Sequence, residues 1–163
     1  MKQIWAPWRA EYVVAEKDKT CIFCSAASAV GAEDEGRGLV LFRSTRSIVM
    51  LNRFPYNSGH LMVAPVRHVA RIEELDDEES ADIFRLVRRS TACLREALNP
   101  QGFNIGLNMG SAAGAGIEDH IHMHVVPRWN GDMNFMPVLA DVKVIPEHLK
   151  QTMKRLKPCF DNS

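Results

Sequence analysis

With 163 residues the chain fits one compact domain that buries about two-thirds of the surface its unfolded form exposes. Twenty lysines and arginines balance 20 aspartates and glutamates, so neither a nucleic acid nor an anionic membrane is expected as the main partner, and any phosphate recognition must be local. No stretch approaches the roughly 18 apolar residues of a membrane span, and residues 1–16, which mix Trp5, Trp8, Arg9 and Glu11, lack the apolar centre of a signal peptide; a cytoplasmic location is expected.

Residues 1–20 read as an N-terminal arm leading to Cys21 and Cys24, a C-x-x-C pair. In a cytoplasmic chain that spacing points to metal or redox chemistry before a structural disulfide. The segment 26–38 is small, acidic and glycine-bearing, which predicts a mobile surface loop. Leu39–Arg43 and Ser47–Asn52 are short apolar runs joined by Ser44-Thr45-Arg46, as in a hairpin. A turn through Pro55, Asn57, Ser58 and Gly59 leads to a third strand, His60–Ala64. A helix starts at Leu75-Asp76-Asp77-Glu78-Glu79, where Asp76 can cap and the acids suit the positive end of the dipole. Ile83, Leu86, Val87, Leu94, Ala97 and Leu98 then recur at helical spacing until Asn99-Pro100-Gln101-Gly102, and Cys93 falls within this pattern. Phe103–Asn108 and His120–Pro127 predict two further strands around the glycine-rich 110–116, and Pro146 opens a short C-terminal helix, with Cys159 near the tail. Strands in succession with a long helix between the third and fourth give an α+β fold: an antiparallel β-sheet with one long and one short helix packed on it, in a single domain, 1–163.

His120, His122 and His124 alternate with Ile121, Met123 and Val125, so on one strand the three imidazoles share a face, about 6.5–7 Å apart along the chain. Such a row can serve phosphate chemistry, bind one transition metal, or be a solvated strand face. The preceding loop, Asn108 to Gly116, favours phosphate: small residues let backbone N–H groups approach an anion, and Asn108 and Ser111 add side-chain donors. It is not a P-loop, because no Gly-Lys-Ser/Thr is present and a strand rather than a helix follows. Taken alone, the glycines fit a flexible turn better; beside three aligned histidines the phosphate reading becomes the better one.

The run His120-Ile121-His122-Met123-His124-Val125-Val126 resembles the signature of the histidine triad (HIT) family of nucleotide hydrolases and transferases. The likeness extends through Asn52, Tyr56-Asn57-Ser58-Gly59-His60, the run from Gly102 to Gly110, and Pro127-Arg128-Trp129. It implies an enzyme in which His122 attacks the α-phosphorus of a nucleotide, His124 and His60 face the phosphates, and Asn52 meets the ribose. Met50 and Met62 would line the base pocket, though both fit ordinary core; Asn108, Ser111, Gly114, Gly116 and Trp129 complete the nucleotide site. Zinc-bearing bacterial members place a metal at positions that are here Cys21, Cys24, His68 and His120, a closed tetrahedral donor set typical of structural Zn2+. The resemblance also implies a homodimer whose sheets join, and it leaves room for a divalent cation carried in with the polyphosphate.

Within the family the chain is more similar to bacterial diadenosine tetraphosphate phosphorylases, including Trp5-Ala6-Pro7-Trp8-Arg9 of the arm, than to nucleoside phosphoramidases. It departs from them at Ala115-Gly116, where Gly-Ser is expected; the lost hydroxyl could have oriented orthophosphate, which weighs against phosphorolysis and leaves hydrolysis open. The expected activity is cleavage of dinucleoside polyphosphates through a covalent nucleotidyl-histidine. The alternatives are a phosphoramidase or general nucleotidyl transferase, a non-catalytic nucleotide-binding regulator, and a purely metal-binding protein. The last two need not combine an intact His122 with a phosphate loop.

Overall fold

The computed structural model describes residues 20–28, 39–132 and 147–161. Five strands, β1 (Val40–Arg43), β2 (Ser47–Leu51), β3 (Leu61–Pro65), β4 (Gly102–Leu107) and β5 (Met123–Arg128), form one antiparallel sheet in the order β1-β2-β3-β5-β4. Helix α1 (Ile22–Ser28) precedes the sheet, α2 (Asp77–Leu98) links β3 to β4, and α3 (Leu149–Asp161) follows β5. The expected α+β architecture is present, with one helix more than local patterns announced.

The sheet separates two apolar layers. On one face Val49, Leu51, Leu61, Val63 and Val125 pack with Ile83, Leu86 and Leu94 of α2 and with Leu156 and Phe160 of α3. On the other, Ile48, Met50, Met62 and Ala64 pack with Phe23, Ala26 and Ala27 of α1. Alternate residues of β2 and β3 thus enter different layers, which is why every residue of both strands is buried.

The structure departs from three sequence expectations. Ala26–Ser28 is not loop: it completes α1, and the alanines, strong helix formers, are small enough to let a short helix lie close on the sheet. The remainder of that expected loop, residues 29–38, lies outside the described residues, as do residues 1–19 of the arm and Pro146. The C-terminal helix runs for 13 residues, and β5 begins at Met123 rather than His120.

Helix α2 starts as its sequence requires. The Asp76 carboxylate accepts from the Glu79 backbone N–H at 2.7 Å, and Glu79 accepts from Asp76 N–H at 3.1 Å. Arg67 also donates to Glu79 at 2.9 and 2.6 Å, fastening the segment that carries His68 to the start of α2. This pairing holds the Glu79 carboxyl below the usual range. Asn99 closes the helix in the left-handed conformation, φ 49°. Gly59 has φ +77°, and a Cβ there would stand 2.5 Å from Cδ1 of Leu98, so only glycine makes the turn that delivers His60. Cys93 and Cys159 form a disulfide across 66 residues, joining α2 to α3; no local pattern in the sequence pairs them.

Candidate active site

The register aligns Met50 with Met62 and Met62 with His124, so the three form a cross-strand row on the α1 face of the sheet. His60 stands just ahead of β3, and its Nε2 lies 2.9 Å from Nδ1 of His124. The direction of that bond follows from the other side of the ring. The Tyr56 backbone N–H donates to His60 Nδ1 at 3.0 Å, so Nδ1 is the acceptor and Nε2 carries the proton. His60 therefore donates to His124 Nδ1, which leaves the His124 proton on Nε2. Asn52 approaches the same ring, its Nδ2 lying 3.3 Å from His60 Nδ1, and its backbone N–H donates to the His60 carbonyl at 2.9 Å.

His120 and His122 precede β5, because their surroundings take over the groups a longer ladder would need. The Ile121 N–H donates to the Val69 carbonyl at 2.7 Å. His120 Nε2 lies 2.9 Å from the Pro65 carbonyl, and His122 Nδ1 lies 2.9 Å from the His120 carbonyl. A carbonyl only accepts, so each of these ring nitrogens is the protonated one. His120 then keeps its lone pair on Nδ1, and His122 keeps its own on Nε2. The His122 ring, 4 % exposed, meets His124 edge-on at 4.8 Å between centroids. The three histidines thus gather on one side of the chain although only His124 belongs to a strand.

His120 Nδ1 faces a different set of groups. It lies 3.3 Å from Cys21 Sγ, 3.7 Å from Cys24 Sγ and 3.2 Å from His68 Nδ1, and Cys24 Sγ lies 3.2 Å from His68 Nδ1. The four donor atoms fall within 4.8 Å of one another. Tetrahedral zinc, with bonds of about 2.3 Å to sulfur and about 2.0 Å to nitrogen, sets edges of about 3.3 Å between nitrogens and about 3.5 Å between nitrogen and sulfur. The residues present fit that ion in type, number and spacing, and the Pro65 carbonyl fixes His120 in the tautomer a ligand needs. Two of the three triad histidines are thereby separated in role: His120 turns to the cysteines, while His122 keeps a lone pair outside that tetrad.

The remaining expected nucleotide residues are less closely gathered. Met50 and Met62 are buried beside α1 on the histidine face. The connection from β4 to β5 carries Asn108, Ser111, Gly114 and Gly116 past the end of the sheet where His122 lies. There Gly110 and Gly114, with φ 76° and 80°, bracket one turn of 3-10 helix, Ser111–Ala113. Trp129 lies beyond the far end of β5, in a turn where Asp132 accepts from the Trp129 N–H, Arg128 and Asn57, and it does not join the imidazole cluster. Two residues without assigned roles do join it. Tyr56, half exposed, covers His60 and His124 at 4.7 and 5.8 Å between ring centroids, and Phe23 packs on His120 and His122. Neither position carries a local signal beyond being aromatic.

Burial pushes His122 below its ordinary value and lowers His124 to about 4, so both rings stay neutral at pH 7. An unfolded chain protonates its histidines near pH 6.5, so below that pH the unfolded state gains protons before the folded one. Stability is therefore expected to be complete above about pH 6.5 and to fall as pH drops toward about 4. Urea unfolding between pH 7.5 and 4.5 checks this, with His124→Asn expected to flatten the slope. An equal slope in that variant would contradict it.

The chain matches the HIT domain model over residues 33–131. It is 37 % identical over 161 residues to an AP-4-A phosphorylase of Mycobacterium tuberculosis, covering 96 % of this chain and 83 % of that one. It is 32 % identical over 130 residues to a bis(5'-adenosyl)-triphosphatase of Dictyostelium discoideum, covering 76 % and 87 %. In structure it is similar to a zinc-bound histidine triad family protein from Mycobacterium smegmatis, with a TM-score of 0.67 and 27 % identity over 87 % of this chain and 94 % of that one.

Proposed function

The chain belongs to the HIT family, and from that premise we propose that it is an enzyme cleaving dinucleoside polyphosphates, such as diadenosine tetraphosphate, through a nucleotidyl group held covalently on His122. The observation that carries this reading is the bond from His122 Nδ1 to the His120 carbonyl, which leaves the Nε2 lone pair as the nucleophile in a neutral ring. That lone pair attacks the α-phosphorus; a P–N bond forms, and the P–O bond to the leaving nucleoside polyphosphate breaks, its electron pair departing with oxygen. His124, held by His60 with its Nε2–H available, donates to the phosphate oxygens as their charge redistributes. The acceptor then attacks phosphorus from the opposite side, and the P–N electrons return to His122.

Asn52 would meet the ribose, Met50 and Met62 would border the base, and Asn108, Ser111, Gly114 and Gly116 would contact the phosphate chain, with Trp129 further out. The substrate is taken as the polyphosphate with the divalent cation it carries. Cys21, Cys24, His68 and His120 would hold Zn2+, whose contribution is structural, fastening α1 to the sheet. We further read 1–163 as one domain in a cytoplasmic protein; among the described residues no helix is long and apolar enough to cross a membrane. A homodimer is supported by β4, the outer strand on one side of the sheet, and by exposed Ile105, Phe84 and Ile72.

Orthophosphate as the acceptor is favoured by the phosphorylase at 37 % identity, and water by the triphosphatase and by Ala115-Gly116. Incubation with diadenosine tri- and tetraphosphate, with and without orthophosphate, followed by chromatography of the products, decides between them. ADP plus ATP from the tetraphosphate only when orthophosphate is present means phosphorolysis, and AMP in its absence means hydrolysis. Failure to cleave either compound, with turnover of a nucleoside phosphoramidate instead, would overturn the substrate assignment.

A further inference from the structure

The rings of the site form one continuous series, and Phe23, which stands in it between His122 and His120, has no part in the proposed reaction. Successive centroid distances are 4.7 Å for Tyr56–His60, 5.0 Å for His60–His124, 4.8 Å for His124–His122, 4.8 Å for His122–Phe23, 5.0 Å for Phe23–His120 and 5.0 Å for His120–His68. Phe23 is completely buried and lies between Cys21 and Cys24 in sequence, so one short segment supplies both thiols of the tetrad and the ring that touches the nucleophile. We infer that Phe23 is a positioning residue, which sets the orientation of the His122 imidazole and couples it to occupancy of the cysteine–histidine tetrad. The kinetic consequence rests on the reading of His122 as nucleophile; the orientation itself does not.

An imidazole turns about two side-chain torsions, and among the described residues the 2.9 Å bond from Nδ1 to the His120 carbonyl restrains it at one atom. Ring contacts must supply the rest. His124 meets His122 at an interplanar angle of 76°, and Phe23 packs on it at 37°. Phe23 also packs on the ring of His120, the residue whose carbonyl is the acceptor of the His122 bond, so it lies against the rings of both residues that make that bond. Helix α1 has only seven residues, too few to be stable alone. Its seat depends on its packing against Ile48, Met50, Met62 and Ala64 and on ligation of the cysteines that flank Phe23. A shift of α1 when the tetrad is empty therefore reaches His122 through the Phe23 ring, without touching the substrate.

The test compares Phe23→Leu and the milder Phe23→Met with Val49→Ala, a truncation in the apolar layer on the other face of the sheet, away from α1. Each zinc-loaded variant is examined by metal analysis, by 15N NMR of the imidazoles and by steady-state kinetics with diadenosine tetraphosphate. The expected result for the Phe23 variants is zinc content unchanged, loss or broadening of the protected His122 Nδ1–H signal, kcat lower by about ten- to a hundredfold, and KM within about threefold of the parent. Val49→Ala should keep the signal and kcat. Chelation of the wild type should remove the same signal, and chelation of Phe23→Leu should change it no further. A retained Nδ1–H signal in both Phe23 variants, an equal loss in Val49→Ala, or loss of zinc together with the signal would each overturn the assignment. Because the NMR signal reports ring orientation without turnover, failure of the proposed reaction and failure of this inference remain distinguishable.

Discussion

Replacement of His122 by alanine is expected to lower kcat on dinucleoside polyphosphates by about a thousandfold or more, while nucleotide affinity changes by less than about tenfold. The asymmetry follows from where the ring sits. His122 is almost fully buried, and its one hydrogen bond among those described goes to its own chain at the His120 carbonyl, so its removal deletes the nucleophile and few ground-state contacts. The groups proposed to hold the nucleotide, Asn52, Met50, Met62 and the loop from Asn108 to Gly116, do not depend on that ring. Steady-state kinetics with equilibrium dialysis of a non-cleavable analogue separates the two quantities. Turnover near wild type would remove the covalent mechanism. Weakened binding at unchanged kcat would make His122 a binding residue only.

Loss of the tetrad is expected to have the largest effect on stability. Cys21→Ser or Cys24→Ser should reduce zinc from about one per chain toward none and cost roughly 3 kcal/mol, a fall in Tm of about 10 °C for a chain of this size. The four donors come from the start of α1 and the residue ahead of it, from the segment after β3 and from the approach to β5, three places far apart in sequence, so the ion would close long loops. His120→Ala should behave like the cysteine variants. His124→Ala should keep the metal and lose turnover, because its described bond is to His60 and it is not one of the four donors. Should His120→Ala and His124→Ala lose zinc equally in metal analysis and calorimetry, the three histidines would form one metal site. His122 could then not serve as nucleophile, since its lone pair would be committed.

What the sequence determined by itself is what rests on neighbours within a few residues. The Asp76 to Glu79 cap, the helical recurrence from Ile83 to Leu98, the turn at Gly59 and the clustering of His120, His122 and His124 are local, and each is present in the structure. The match of Cys21 and Cys24 with His68 and His120 was legible only through family resemblance, because nothing local ties a C-x-x-C to histidines so far along the chain. Tertiary structure alone decided the rest. Residues 26–28 look like loop in isolation and become helix because the sheet supplies a surface on which a seven-residue helix is stable. The triad histidines differ in protonated nitrogen because carbonyls from Pro65 and His120, and an imidazole from beside β3, happen to face them. The same folding brings Phe23 between two of those rings and joins Cys93 to Cys159. A periodic pattern specifies which face a residue occupies; which atom it meets there depends on elements many tens of residues away, whose packing no local window contains.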